Sequence, residues 1–240
     1  MAANKRAGKK SLAQNDFLAP SAPLIGSGTD VGTSRAYNDG AVSVTFTHQG
    51  AQAASSYTVT ASTGQTATGA SSPIVVSGIA TGATPTFTVT ATNAAGTSAA
   101  SSATGAVTVT TVPAAPTSVG ASSPSGANYD TVTWTAPANG GKAITNYYVT
   151  SSDGKTANTA STSVNVTQEQ GTAQTYTVYA DNANGRSVAS APSASVTTFS
   201  FVPFSVFSFF GVFGFGPFGV FGFGPFGVFG FSPFGVFGFR

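Results

Sequence analysis

The chain repeats itself at domain length. Pro20-Ser-Ala-Pro23 recurs as Pro113-Ala-Ala-Pro116, Ser56 to Thr60 (SYTVT) as Asn146 to Thr150 (NYYVT), and Thr86 to Asn93 (TFTVTATN) as Thr175 to Asn182 (TYTVYADN). The offsets are 93, 90 and 89 residues, so one unit of about ninety residues, the size of a small β-sandwich, is present twice. Whatever fold one copy takes, the other takes too.

The pattern inside each copy is that of strands. Val42, Val44 and Phe46 alternate with Ser43 and Thr45, and Val132 and Trp134 alternate with Thr131, Thr133 and Thr135. A period of two puts the apolar set on one sheet face and the hydroxyl set on the other, and Thr and Val suit a pleated, half-buried surface. Asp153-Gly154, Asn139-Gly140 and Asn184-Gly185 mark turns. Nowhere does an amphipathic helix of ordinary length emerge. The expected architecture is all-β.

The second copy resembles the fibronectin type III domain in its bacterial and phage form. Trp134-Thr-Ala-Pro137, Asn139-Gly140-Gly141, Ile144, Tyr147 and Val149 look like the strand B tryptophan, the proline after it and the start of strand C. Gly171, Tyr176, Val178, Ala180, Asn182 and Gly185 look like the strand F signature and its turn. In the first copy Phe46 stands for the tryptophan and Phe87 for the strand F tyrosine, so no tyrosine-corner hydrogen bond is expected there. The resemblance implies two tandem fibronectin-III-like (Ig-like) β-sandwiches, over residues 20–112 and 113–198. A basic N-terminal arm (1–19) precedes them and a Phe/Gly/Pro-rich octad-repeat tail (199–240) follows.

Composition then narrows the function. Charged residues make up 7% of the chain, against about 25% in ordinary soluble domains. There is no Cys and a single His, His48, which excludes a thiol nucleophile, a Cys-ligated metal and a multi-His site. A net charge of +2 gives no broad basic surface for nucleic acid. No enzyme, cofactor or sequence-specific nucleic-acid partner is expected. The basic N-terminus is followed by no apolar run of the length an export signal needs, so synthesis in a host cytoplasm is expected.

The tail is a different material. It holds 17 of the 20 Phe, with ten Gly, six Val, four Ser, four Pro and Arg240 completing its 42 residues. An octad starts at Pro217, Pro225 and Pro233. Gly and Pro would cost a helix roughly 1 and 3 kcal/mol each, and the Phe spacing misses the helical period, so a membrane-spanning helix is a poor reading. Each buried Phe contributes about 1.5–3 kcal/mol, and one such segment is too short to cover its own rings. The candidate assembly residues are therefore Phe204, Phe207, Phe213, Phe215, Phe218, Phe221, Phe223, Phe226, Phe229, Phe231, Phe234, Phe237 and Phe239. Their repetition favours packing between identical tails, in a trimer or larger ring.

Other candidates weigh less. Lys5, Arg6, Lys9 and Lys10 could meet an anionic partner or be a solvated arm. Asn184-Gly185-Arg186 sits in the turn where such domains often present cell-binding tripeptides, but Asn-Gly turn geometry explains it sufficiently. Tyr147, Tyr148 and Trp134 could form a sugar platform, although alternation sends Trp134 inward and leaves one tyrosine outside. Asp130, Asp153, Glu169 and Asp181 lack the spacing of a calcium loop. Asn165-Val166-Thr167 is a chance sequon in a Thr-rich chain, and His48 a loop residue after strand B. The expectation is a structural protein of a tailed-phage virion: a head decoration, fibre or tail accessory subunit. Its partners would be capsid or tail proteins and copies of itself, with a host surface glycan as a further candidate and a membrane disfavoured. The alternative is a bacterial surface adhesin or glycan-binding module anchored by the tail.

Overall fold

The computed structural model describes residues 18–198, and every regular element in them is a strand. The first copy contains β1 (Leu24–Asp30), β2 (Gly40–Thr47), β3 (Ser56–Ala61), β4 (Thr66–Gly69), β5 (Ile74–Ile79), β6 (Phe87–Asn93) and β7 (Gly96–Thr97). The second contains β8 (Thr117–Ser122), β9 (Tyr129–Thr135), β10 (Ile144–Ser151), β11 (Thr156–Thr159), β12 (Ser163–Thr167), β13 (Ala173–Gln174), β14 (Tyr176–Asn182), β15 (Gly185–Arg186) and β16 (Val196–Thr197). Each copy pairs a three-stranded sheet (β1-β2-β5, β8-β9-β12) with a four-stranded one (β4-β3-β6-β7, β11-β10-β14-β15), and β13-β16 form a small ribbon. All pairings are antiparallel.

The alternating residues lie where their period sends them. Val42, Val44 and Phe46 line one buried cluster with Val59, Phe87 and Val89. Val132 and Trp134 line a separate one with Tyr147, Val149, Tyr176 and Val178. Phe46 replaces the tryptophan without losing its aromatic contact. Its ring lies 4.7 Å from that of Tyr57, as Trp134 lies 5.3 Å from Tyr147. The Asp153-Gly154 turn joins β10 to β11, with the Gly154 N–H bonded to the Ser151 carbonyl at 3.0 Å.

Beyond β7 and β15 the chain is no longer a regular strand, yet it stays bonded to its neighbour. Ser98, Ser101 and Thr104 donate their backbone N–H to the carbonyls of Ala91, Val89 and Phe87. The N–H groups of those same residues donate back to the three side-chain oxygens, each at 3.0 Å. Ser187, Ser190 and Ser193 repeat this against Ala180, Val178 and Tyr176. Every third residue of the segment thus faces every second residue of the strand, one extra residue per pair as in a β-bulge. The hydroxyl takes the bond that a backbone carbonyl accepts in an ordinary ladder, and so no buried strand N–H is stranded.

Candidate interaction surfaces

The main polar feature of the second core is a buried triad. Tyr176 donates its hydroxyl to Asp130 Oδ2 at 2.6 Å, and Thr198 donates to the same carboxylate at 3.2 and 3.4 Å. All three residues are 0% exposed. Burial, and then the neighbouring Asp130, push the Tyr176 phenol well above its ordinary value. So this tyrosine bonds a side chain on the facing sheet, not the backbone of a tyrosine corner. Strand registers put Asp130 opposite Val166 and Val42 opposite Val76. The Thr198 N–H bonds the Thr172 carbonyl as the Val109 N–H bonds that of Ala83. The first copy therefore fills the same three positions with Val42, Phe87 and Val109, all of them core residues.

Around this triad the polar groups are paired with one exception. Asp153 bonds the Ser151 hydroxyl, which is the main cause holding its carboxyl below the ordinary range, with Lys155 contributing at 3.6 Å. The Gln168 amide, 3% exposed, lies against the Tyr176 hydroxyl and the Asp153 carboxylate. It makes no hydrogen bond of ordinary geometry to either. Among the described residues no group of three or more His, Asp and Glu is placed to hold a metal ion.

Tyr147, Tyr148 and Trp134 do not share an outward face. Trp134 and Tyr147 are core, 6% and 4% exposed. Tyr148, on the outer face of β10, pairs directly with Tyr179 of β14, their rings 6.5 Å apart. The Arg186 guanidinium sits 4.6 Å above the Tyr148 ring and 5.6 Å from that of Tyr179. Two 2.8 Å bonds to Asp181 hold it there, and that carboxylate raises its already high pKa. Tyr148 is therefore not the isolated exposed tyrosine that the alternation suggested. The missing signal was Tyr179, whose outward position follows from alternation in β14 but whose register against Tyr148 does not.

The other candidates are ordinary structural residues. Asn184 is buried and turned inward, and Arg186 is tied to Asp181, so Asn184-Gly185-Arg186 is not presented as a free tripeptide. His48 directly follows β2, its Nδ1 2.9 Å from the Tyr57 hydroxyl. Asn165 accepts a 2.9 Å bond from Thr131. A cleft of about 410 Å³ opens where the two sandwiches meet, between Tyr37 on one side and Val188 on the other. Lys5, Arg6, Lys9, Lys10 and the tail phenylalanines from Phe204 to Phe239 lie outside the described residues.

No family model matches the chain, and no curated protein matches it. Among solved structures it is similar to titin kinase and its flanking domains, at 29% identity over 36% of this chain, with a TM-score of 0.33. It spans only 17% of that structure's length. It is also similar to the FN1–FN3 domains of chicken CNTN1, at 18% identity over 76% of this chain and 68% of the other, with a TM-score of 0.39. A crystal structure of titin domains matches at 20% identity over 75% and 62%, with the same score. The fold is a β-sandwich of the fibronectin type III or Ig-like kind. The strand order and the two cores carry that statement by themselves.

Proposed function

We propose that this chain is a non-enzymatic structural subunit of a tailed-bacteriophage virion, assembling through its Phe-rich tail and projecting its β-sandwiches. The observation that carries the reading is the contrast within the chain. Most buried polar groups of the sandwiches bond one another, as in the triad Asp130–Tyr176–Thr198, while the sequence that follows is 42 residues with one charge and 17 phenylalanines. A body of that kind suits a spacer, and a segment of that kind suits a contact with copies of itself or other virion proteins. The Tyr148–Tyr179–Arg186 surface favours a second reading, a bacterial surface adhesin or glycan-binding module held by its tail.

Immunogold labelling of particles and cells from the source separates the two. Label on purified particles supports the virion subunit, and label confined to the bacterial envelope supports the adhesin. Deleting residues 199–240 should leave folded sandwiches that no longer join the particle. Normal incorporation of the shortened chain would rule out the tail as the assembly element.

A further inference from the structure

The two sandwiches are joined by Val109 to Val112, and all four of these residues are buried. A linker that lets domains swing is exposed and makes few contacts; this one is held from both sides. The first sandwich holds it through the Val112 N–H to the Arg35 carbonyl at 3.0 Å, the Gly82 N–H to the Val109 carbonyl at 2.9 Å and the Thr110 N–H to Asp30 Oδ1 at 3.1 Å. The second sandwich holds it mainly through the hairpin Asn182-Ala183-Asn184-Gly185. Asn182 Nδ2 donates to the carbonyls of Thr111 and Asn139 at 2.9 and 2.8 Å. Asn184 Nδ2 donates to Thr110 Oγ1 at 2.8 Å and to the Thr111 carbonyl at 3.1 Å. Asn182 Oδ1 accepts the Asn184 N–H at 2.8 Å, which fixes the two amides relative to each other.

Two further features make the joint specific. Gly140, at φ +71°, brings its carbonyl to the Thr111 N–H at 2.8 Å. A side chain there would run into the carbonyl oxygens of Thr111 and Val112. The Asn184 carbonyl accepts the Ser34 N–H at 2.8 Å, a direct bond between the sandwiches. The first sandwich has a similar hairpin in which Asn93 Nδ2 bonds the Leu18 carbonyl at 2.9 Å, but Ala95 stands in the place of Asn184. The grip on the preceding segment is thus duplicated, and the second amide is particular to the joint.

We propose that this Asn182–Gly185 hairpin is a lock: its two side-chain amides fix the angle between the sandwiches, so that the pair moves as one rigid strut. Any rotation about the linker would strand several buried donors and acceptors at once.

The test uses spin labels on the full chain, which has no cysteine of its own. Thr66→Cys and Thr156→Cys place one label on an exposed edge-strand position in each sandwich. The expected inter-label distance distribution is a single narrow peak. With Asn182→Asp and Asn184→Asp, which keep the shape but point carboxylate oxygens at carbonyls, the narrow peak should be lost to a broad distribution while Trp134 emission stays that of a folded core. If that variant unfolds, Asn184→Ala decides instead, because it gives this hairpin the alanine that the first sandwich's hairpin carries at Ala95 and removes only the amide particular to the joint, and it should also broaden the peak. A broad distribution in the unchanged chain, or a narrow peak that survives in the folded variants, would overturn the lock.

Discussion

The Tyr176 hydroxyl meets Asp130 at 2.6 Å, at a place where the first sandwich sets Phe87 and Val42. One fold thus holds two chemical solutions to the same three-residue site, apolar in one copy and hydrogen-bonded in the other. Intermediates between them are costly, since each leaves a buried polar group without its partner.

That cost can be measured as a coupling. Tyr176→Phe, or Asp130→Val, should each destabilise the second sandwich by about 1–3 kcal/mol. The triple change Asp130→Val, Tyr176→Phe and Thr198→Val reproduces the first sandwich's residues and should be far milder than the sum of the single changes. Urea unfolding followed by Trp134, the sole tryptophan, gives these values. Additive effects would mean that the three side chains do not act together.

The same pair sets an alkaline limit. The folded Tyr176 phenol holds its proton above the ordinary 10.0, so its contribution is complete below that pH. It declines as pH rises, because the unfolded chain then releases the proton first. Unfolding of the second sandwich should become easier above about pH 10, and part of this slope should vanish in the triple variant. An unchanged slope would assign the effect to other groups.

In the hydroxyl-bonded segments, Ser190→Ala removes the acceptor of the buried Val178 N–H. A loss of about 1–3 kcal/mol is expected. Ser190→Thr keeps the oxygen, as Thr104 does in the first copy, and should restore most of it. Equal losses for Ala and Thr would point to packing instead of the hydrogen bond.

Gln168 offers the opposite sign. Its buried amide lies against the Tyr176 hydroxyl and the Asp153 carboxylate without a hydrogen bond of ordinary geometry to either, so Gln168→Met, of similar length and without polar atoms, should raise stability by about 1 kcal/mol. A destabilised variant would show that the amide is satisfied in solution.

What the sequence made legible were the properties that follow from period and repetition. Alternation placed Val42, Val44, Phe46, Val132 and Trp134 in their cores, and the three offsets revealed the duplication. It missed what depends on register between strands. Asp130 read as a scattered acid because nothing local tells that Tyr176 and Thr198 lie across from it. Tyr148 read as isolated because Tyr179 comes from another strand, and Asn184 read as a turn residue because the segment it grips lies more than seventy positions earlier. The triplet spacing of Ser187, Ser190 and Ser193 was visible in both copies, but it matches neither the strand period of two nor the helical 3.6.

That triplet spacing also limits how the chain can change over time. An ordinary edge strand that loses one residue can slide and recover its backbone bonds, because every residue offers the same carbonyl. A segment whose acceptors are side chains at every third place has no such freedom. Deleting a single residue between Ser187 and Ser193 would move the hydroxyls beyond the cut out of register with their strand partners. The closing segment of each sandwich is therefore expected to grow or shrink only in whole triplets.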